Sequence, residues 1–240
     1  MTLPDGFLEL YTDLHRQGPG LPADVVWALN ESGLSGPLRV LDAGAGSGAD
    51  SETLAQALPE ARIDAVEGVA QFVSEAQARL HTFGPRVTAR EGDMAQVEGP
   101  YDLIWCAGAL YFLGVTEGLQ GWADALAPGG WVAFSEPVYL SDPPSEAARA
   151  FWEGEGAVGD IDSIRARVAA AGYAVRAERL ITGEAWAAYY DPLAARIAEL
   201  KAAGRAEALA EVIEASEAEI ARWKAAPDEI AYVLMLVQPE

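Results

Sequence analysis

The segment Val40-Leu41-Asp42-Ala43-Gly44-Ala45-Gly46-Ser47-Gly48 places three alternating glycines behind an apolar run that ends in an acid. Glycine at such positions lets a flat nucleoside lie against the backbone, where a Cβ would block it. A helix beginning behind the loop would aim its unpaired N–H groups at a ligand carboxylate or phosphate. Further on, Glu67 and Gly68 close the stretch Ile63-Asp64-Ala65-Val66, and an acid there can accept from both hydroxyls of a ribose. Glu91-Gly92-Asp93-Met94 comes next. Asp93 can accept from an adenine amino group, and the apolar, adaptable thioether of Met94 can lie on the ring.

Other residue types belong to a second reactant. Tyr11, His15 and Arg16 stand near the Gly18-Pro19-Gly20 turn, and Tyr111, Glu136 and Tyr139 follow later apolar runs. Of the two histidines His15 could reach the site as a base, with a solvent-exposed loop histidine as the alternative reading; His81 reads as surface. Trp152, Trp186, Tyr189 and Tyr190 form an aromatic set, with Trp186 and Tyr190 on one helix face by their i,i+4 spacing. Histidines, cysteines and acids show no clustering at metal-ligand spacing.

These residues need strands that end together. The spacing predicts strands over 38–42, 62–67, 87–90, 101–106, 131–135, 173–180 and 229–237. It predicts helices over 4–15, 22–32, 70–80, 116–126, 145–153, 160–171, 184–202 and 204–224, and one after the glycine loop, with Leu54 and Leu58 inside. Pro128-Gly129-Gly130 reads as a turn before the fifth strand. Alternating strands and helices make βαβ units. The expected fold is a Rossmann-like α/β domain: a seven-stranded, mostly parallel sheet with helices on both faces and an antiparallel last strand. One domain, 1–240, would hold a helical cap (1–36), the core (37–182 and 228–240) and a helical insertion or lid (183–227).

The glycine loop, Glu67, Gly92-Asp93 and Pro128-Gly129-Gly130, each in its place, resemble the motifs of Rossmann-like (class I) S-adenosylmethionine (SAM)-dependent methyltransferases. The resemblance covers nearly the whole chain. It implies that Asp42, Gly44, Ala45, Gly46 and Gly48 surround the methionine part of SAM, Glu67 and Gly68 the ribose, and Gly92, Asp93 and Met94 the adenine. Cys106 and Ala107 would lie beneath the cofactor. The stretch Phe7–Gly20, with its Arg16-Gln17-Gly18-Pro19-Gly20 segment, is similar to the start of a bacterial group of small-molecule-type methyltransferases. That group commonly has Pro where this chain has His15.

Composition narrows the partners. The net charge is −21, and lysine occurs only as Lys201 and Lys224, so the surface repels nucleic acid and anionic membrane. One cysteine excludes an internal disulfide. The start of the chain lacks the basic and apolar regions of a signal peptide, and no apolar run approaches the ~18–20 residues that span a bilayer. A cytoplasmic enzyme acting on a small molecule is expected, as monomer or homodimer. Two alternatives stand beside it: an NAD-dependent oxidoreductase, because Gly44–Ala49 also satisfies G-x-G-x-x-A, and a non-catalytic SAM-binding protein.

Overall fold

The computed structural model describes residues 3–154 and 158–240. The N-terminal part holds α1 (Phe7–Tyr11) and α2 (Pro22–Ser32), followed by β1 (Arg39–Ala43), α3 (Ala49–Ala57), β2 (Arg62–Glu67), α4 (Ala70–Leu80) and β3 (Val87–Glu91). The second half of the core is β4 (Tyr101–Cys106), α5 (Val115–Gly121), β5 (Leu126–Tyr139), α6 (Glu146–Phe151), α7 (Ile161–Ala170) and β6 (Tyr173–Ile181). The chain finishes with α8 (Glu184–Ala202), α9 (Ala210–Ala225) and β7 (Ile230–Pro239). Among the described residues no helix is long and apolar enough to cross a membrane.

The strands form one sheet in the order β3-β2-β1-β4-β5-β7-β6. β3 through β5 run parallel, and β7 is antiparallel to both β5 and β6. From β1 the chain winds outward through β2 and β3, then returns to β4 on the other side. That reversal leaves a crevice beyond the carboxyl ends of β1 and β4, where doubly wound sheets bind ligands. The central strands are apolar because both faces are covered. One face packs Phe134, Val138, Ile164 and Val168, the other Val25, Leu54, Leu80 and Ala133. A third cluster lies over the strand ends, where α1, α6, α8 and α9 meet through Leu10, Phe151, Trp186, Leu193 and Ile213.

Local chemistry sets the boundaries. Pro22 opens α2 with the φ a first helical turn requires, and Asp24 Oδ2 accepts from Leu21 N–H at 2.8 Å. Asp160 caps α7 by accepting from Ser163 N–H at 2.8 Å. Four elements differ from the sequence expectation. The helix expected over 116–126 spans Val115–Gly121, and Ala123–Ala125 is a separate 3-10 turn. α1 ends at Tyr11 rather than 15, because Thr12 turns extended and Asp13 adopts φ 65°. The second helix of the insertion starts at 210 rather than 204: Gly204, at φ 74°, stops the preceding helix. The fifth strand begins at Leu126, and the expected Pro-Gly-Gly turn falls within it. There the register against β4 shifts between the Tyr101–Leu126 and Leu103–Trp131 pairs, a bulge that Gly129, at φ 78°, accommodates.

Candidate active site

β1 and β2 end side by side and build the glycine loop between them. Val66 C=O accepts from Gly44 N–H at 2.9 Å and Ala45 N–H at 3.1 Å. Glu67 Oε2 accepts from Gly46 N–H at 2.9 Å and its Oε1 from Val69 N–H at 2.8 Å. Gln17 Oε1 accepts from Ser47 N–H at 2.9 Å, and Ala45 C=O from Gly48 N–H at 2.9 Å. The amides of Gly44 through Gly48 are thus all satisfied within the protein. The loop's own amides are therefore taken, and a ligand against the loop meets its bare surface. The bareness is required: a Cβ on Gly44 would stand 2.6 Å from Ala109 Cβ, and one on Gly46 2.7 Å from Gln17 Oε1.

Asp42, 2% exposed, accepts from Ser51 Oγ at 2.6 Å. Burial, and then the nearby charge of Asp50, push its pKa up to about 7. Asp50 accepts from Arg16 Nη2 at 3.1 Å and from Trp105 Nε1 at 3.0 Å. The segment 14–20 is therefore clamped onto the loop: Arg16 on Asp50, Gln17 on Ser47, and Ser47 Oγ donating to His15 C=O at 3.2 Å. Gln17 Nε2 is buried without an acceptor, so one amide group spends its oxygen on the loop and holds two N–H donors unused. At the β3 end, Asp93 accepts from Ala95 N–H at 2.9 Å and Gln96 Nε2 at 3.0 Å.

One cavity of about 1260 Å³ joins these pieces. Of the residues expected around a nucleoside, Asp42, Gly44, Ala45, Gly46, Glu67, Gly68, Gly92, Asp93, Met94 and Ala107 border it. Gly48 instead lets α3 pack on α4, since a Cβ there would lie 3.1 Å from Ala76 Cβ. Cys106 sits in the core beside the loop, and burial raises its thiol well above the usual range. Of the residues expected to meet a second reactant, Arg16, Tyr111, Trp152, Trp186 and Tyr190 border the cavity. Tyr11 stands behind the wall, stacked on Phe7 at 4.3 Å and bonded to Ser216 Oγ at 3.2 Å. His15 is exposed with Nδ1 3.0 Å from Arg79 Nη1, and burial followed by the charges of Arg79 and Arg16 lowers its pKa. Tyr139 packs against the aromatic cluster. Glu136 is 3% exposed, its Oε1 has no partner, and burial pushes its pKa up to about 7.

Sequence reasoning missed Gln17, Asp50, Glu219 and Arg222, which also border the cavity. For Gln17 and Asp50 the sequence carries no local signal, because their roles come from contacts between segments about thirty residues apart. Glu219 had one: it lies seven residues after Val212 and so on the buried stripe of α9.

Residues 40–130 match the family described as "Methyltransferase domain". A trans-aconitate 2-methyltransferase of Streptomyces avermitilis is 29% identical over 147 residues, which cover 58% of this chain and 49% of that protein. The chain thus spans about half the length of this curated relative. A SAM-dependent methyltransferase of Geobacter sulfurreducens, solved with S-adenosyl-L-homocysteine, superposes with a TM-score of 0.86 at 22% identity, over 99% of both chains. One from Thiobacillus denitrificans, solved with the same ligand, gives 0.87 at 21% identity over all of both chains. The fold is therefore that of the SAM-dependent methyltransferases.

Proposed function

We propose that this SAM-dependent methyltransferase acts on a small-molecule acceptor held in the aromatic end of its cavity, in the cytoplasm, with neither a metal nor a nucleic acid. The observation that carries this reading is the continuity of the cavity. The same cavity is lined by the glycine loop, Glu67, Asp93 and Met94, by Ala107–Ala109, and by Trp152, Trp186, Tyr190 and Tyr232. A Cβ on Gly108 would come 3.7 Å from the Tyr232 ring, so Ala107–Ala109 and the aromatic residues meet there. Relatives named for trans-aconitate agree with an acceptor of small size. The kinship with bacterial proteins carrying an Arg-Gln-Gly-Pro-Gly segment belongs to the same proposal.

The residues present fit SAM. Glu67 and Asp93 offer acceptors where ribose hydroxyls and an adenine amino group need them, Met94 offers an apolar face, and Asp42 a carboxylate for an ammonium group. Gln17 supplies the unused donors that a carboxylate calls for; satisfying a buried donor is favourable. When bound, SAM supplies a methyl group already activated on a sulfonium. The protein's task is then to orient the acceptor and exclude water. The segment 14–20 closes one side by its bonds to Ser47 and Asp50. The insertion 183–227 closes the other as a lid on the core of 37–182 and 228–240, with 1–36 as the cap.

The test is a tritiated-methyl assay in EDTA, comparing RNA, protein and small-metabolite fractions. Label is expected in the small-metabolite fraction. Label mainly in RNA, or label that disappears with EDTA and returns with magnesium, overturns the reading. Trp186→Ala and Tyr190→Ala should raise the acceptor KM; an unchanged KM would make those residues core only.

A further inference from the structure

We propose that the aromatic half of the cavity is a site for a small organic cation, and that the methyl acceptor is an amine. The proposal rests on the methyltransferase reading above and adds the substrate class. Its first support is charge. Nine charged side chains line the cavity, of which seven are acidic and two are arginines. Arg16 is already bonded to Asp50 at 3.1 Å. On the aromatic side stand Glu219 and Glu153, against Arg222. Glu219 is half-buried, whereas Arg222, three residues on, is exposed. Water screens an exposed charge far more than a buried one, so the carboxylate dominates the field inside. After burial, the charge of Glu219 is the largest cause raising the hydroxyl of Tyr190 in the wall and of Tyr11 behind it. A polycarboxylate entering this space would meet repulsion with no free basic cluster to offset it.

The second support is the wall. Trp152 stacks on Tyr232 with centroids 5.9 Å apart, and Trp186 lies 5.2 Å from Tyr232 and 6.0 Å from Tyr190. Tyr190 Oη donates to Glu219 Oε1 at 2.7 Å, which ties the carboxylate to the aromatic surface. Trp and Tyr faces attract cations through their ring quadrupole, most strongly when desolvated. Aromatic faces with a fixed carboxylate at their edge are the arrangement a substituted ammonium prefers over a neutral alcohol or an anion. Packing alone would explain the rings but not a carboxylate on the buried stripe of α9, where a charge is costly. The bound ammonium first gives up a proton, and the neutral amine's lone pair then forms the new N–C bond while the S–CH₃ bond breaks, its electron pair remaining on sulfur and the methylated product again a cation. The proton released from nitrogen passes to water at the mouth.

The experiment uses the full chain saturated with S-adenosylhomocysteine and three probes: choline, its uncharged isostere 3,3-dimethylbutan-1-ol, and tricarballylate. Binding is read by calorimetry and by quenching of tryptophan fluorescence. Choline should bind at least about tenfold more tightly than the isostere, a difference of about 1.4 kcal/mol, and tricarballylate should bind most weakly. Glu219→Gln should weaken choline by roughly three- to tenfold, leave the isostere unchanged, and leave S-adenosylhomocysteine affinity unchanged. Equal affinity for choline and the isostere, preference for tricarballylate, or indifference to Glu219→Gln overturns the cation site. Failure of the parent protein to bind S-adenosylhomocysteine overturns the methyltransferase reading instead. A screen of small primary and secondary amines for S-adenosylhomocysteine release completes the test; turnover of alcohols or carboxylates and no amine overturns the substrate class.

Discussion

Replacing Glu67 by alanine should damage two things that calorimetry and melting separate. The carboxylate takes Gly46 N–H at 2.9 Å and Val69 N–H at 2.8 Å. It therefore braces the glycine loop before any ligand arrives, and each oxygen keeps a second lone pair for a ribose hydroxyl. Losing the brace exposes two backbone donors that water can partly satisfy. The cost is about 1–3 kcal/mol in total, which for a chain of this size lowers Tm by roughly 3–10 °C. Losing the ribose contact removes a hydrogen bond to a charged group, worth ~1.5–3 kcal/mol, or about 10–100-fold in affinity. Glu67→Gln keeps one acceptor and turns an amide N–H₂ toward the other donor, so it should lose about half of each effect. The assays are thermal melting of the free protein and titration calorimetry with S-adenosylhomocysteine. A lower Tm with unchanged affinity would leave Glu67 a loop brace and refute its ribose role.

Three further outcomes follow from the site. Asp93→Ala should weaken adenine-bearing ligands less than Glu67→Ala does, because its carboxylate is exposed and already shared with Ala95 and Gln96; equal binding of S-adenosylhomocysteine by variant and parent would remove Asp93 from the site. Affinity for SAM should rise from pH 6 to 8, because Asp42, with its pKa raised to about 7, must ionise to receive an ammonium group. The rise should vanish in Asp42→Asn, and a flat profile in the parent contradicts the role. Glu136, also raised to about 7 by burial, holds its proton more tightly folded than unfolded, so it detracts from stability as pH climbs from about 4.5 through 7. Glu136→Gln should therefore raise Tm at pH 8, through a gain of up to about 3–4 kcal/mol of stability, and flatten the loss between pH 5 and 7. An unchanged pH dependence of Tm rules that out.

What the sequence made legible was what repeats or punctuates. β4 reads correctly from Tyr101 to Cys106 because a strand covered on both faces is a plain apolar run. β1 and β2 read correctly because glycine and an acid mark their ends. Where the expectation slipped, the cause was a backbone detail: Asp13 in the left-handed region, Gly204 ending α8, and a bulge in place of a turn at Gly129. That the residues proposed for the nucleoside border one cavity was likewise readable, since they follow strand ends directly. Gln17 was not, because a glutamine in a loop has no period, and only the fold brings it onto Ser47.

Glu219 is the instructive case. The Glu-rich side of α9 reads as a solvated face, and most of its acids are exposed. Yet Val212, Ser216, Glu219 and Trp223 share one stripe by spacing. A carboxylate on a packed stripe breaks the binary pattern that the rest of the helix obeys. Such a break costs stability, and it persists where neighbouring groups use it. Here Tyr190 binds it and the cavity opens beside it. On the proposal above, one misplaced charge on an otherwise ordinary amphipathic helix would mark the acceptor half of the site in the sequence, and with it the sign of the ligand that half should hold.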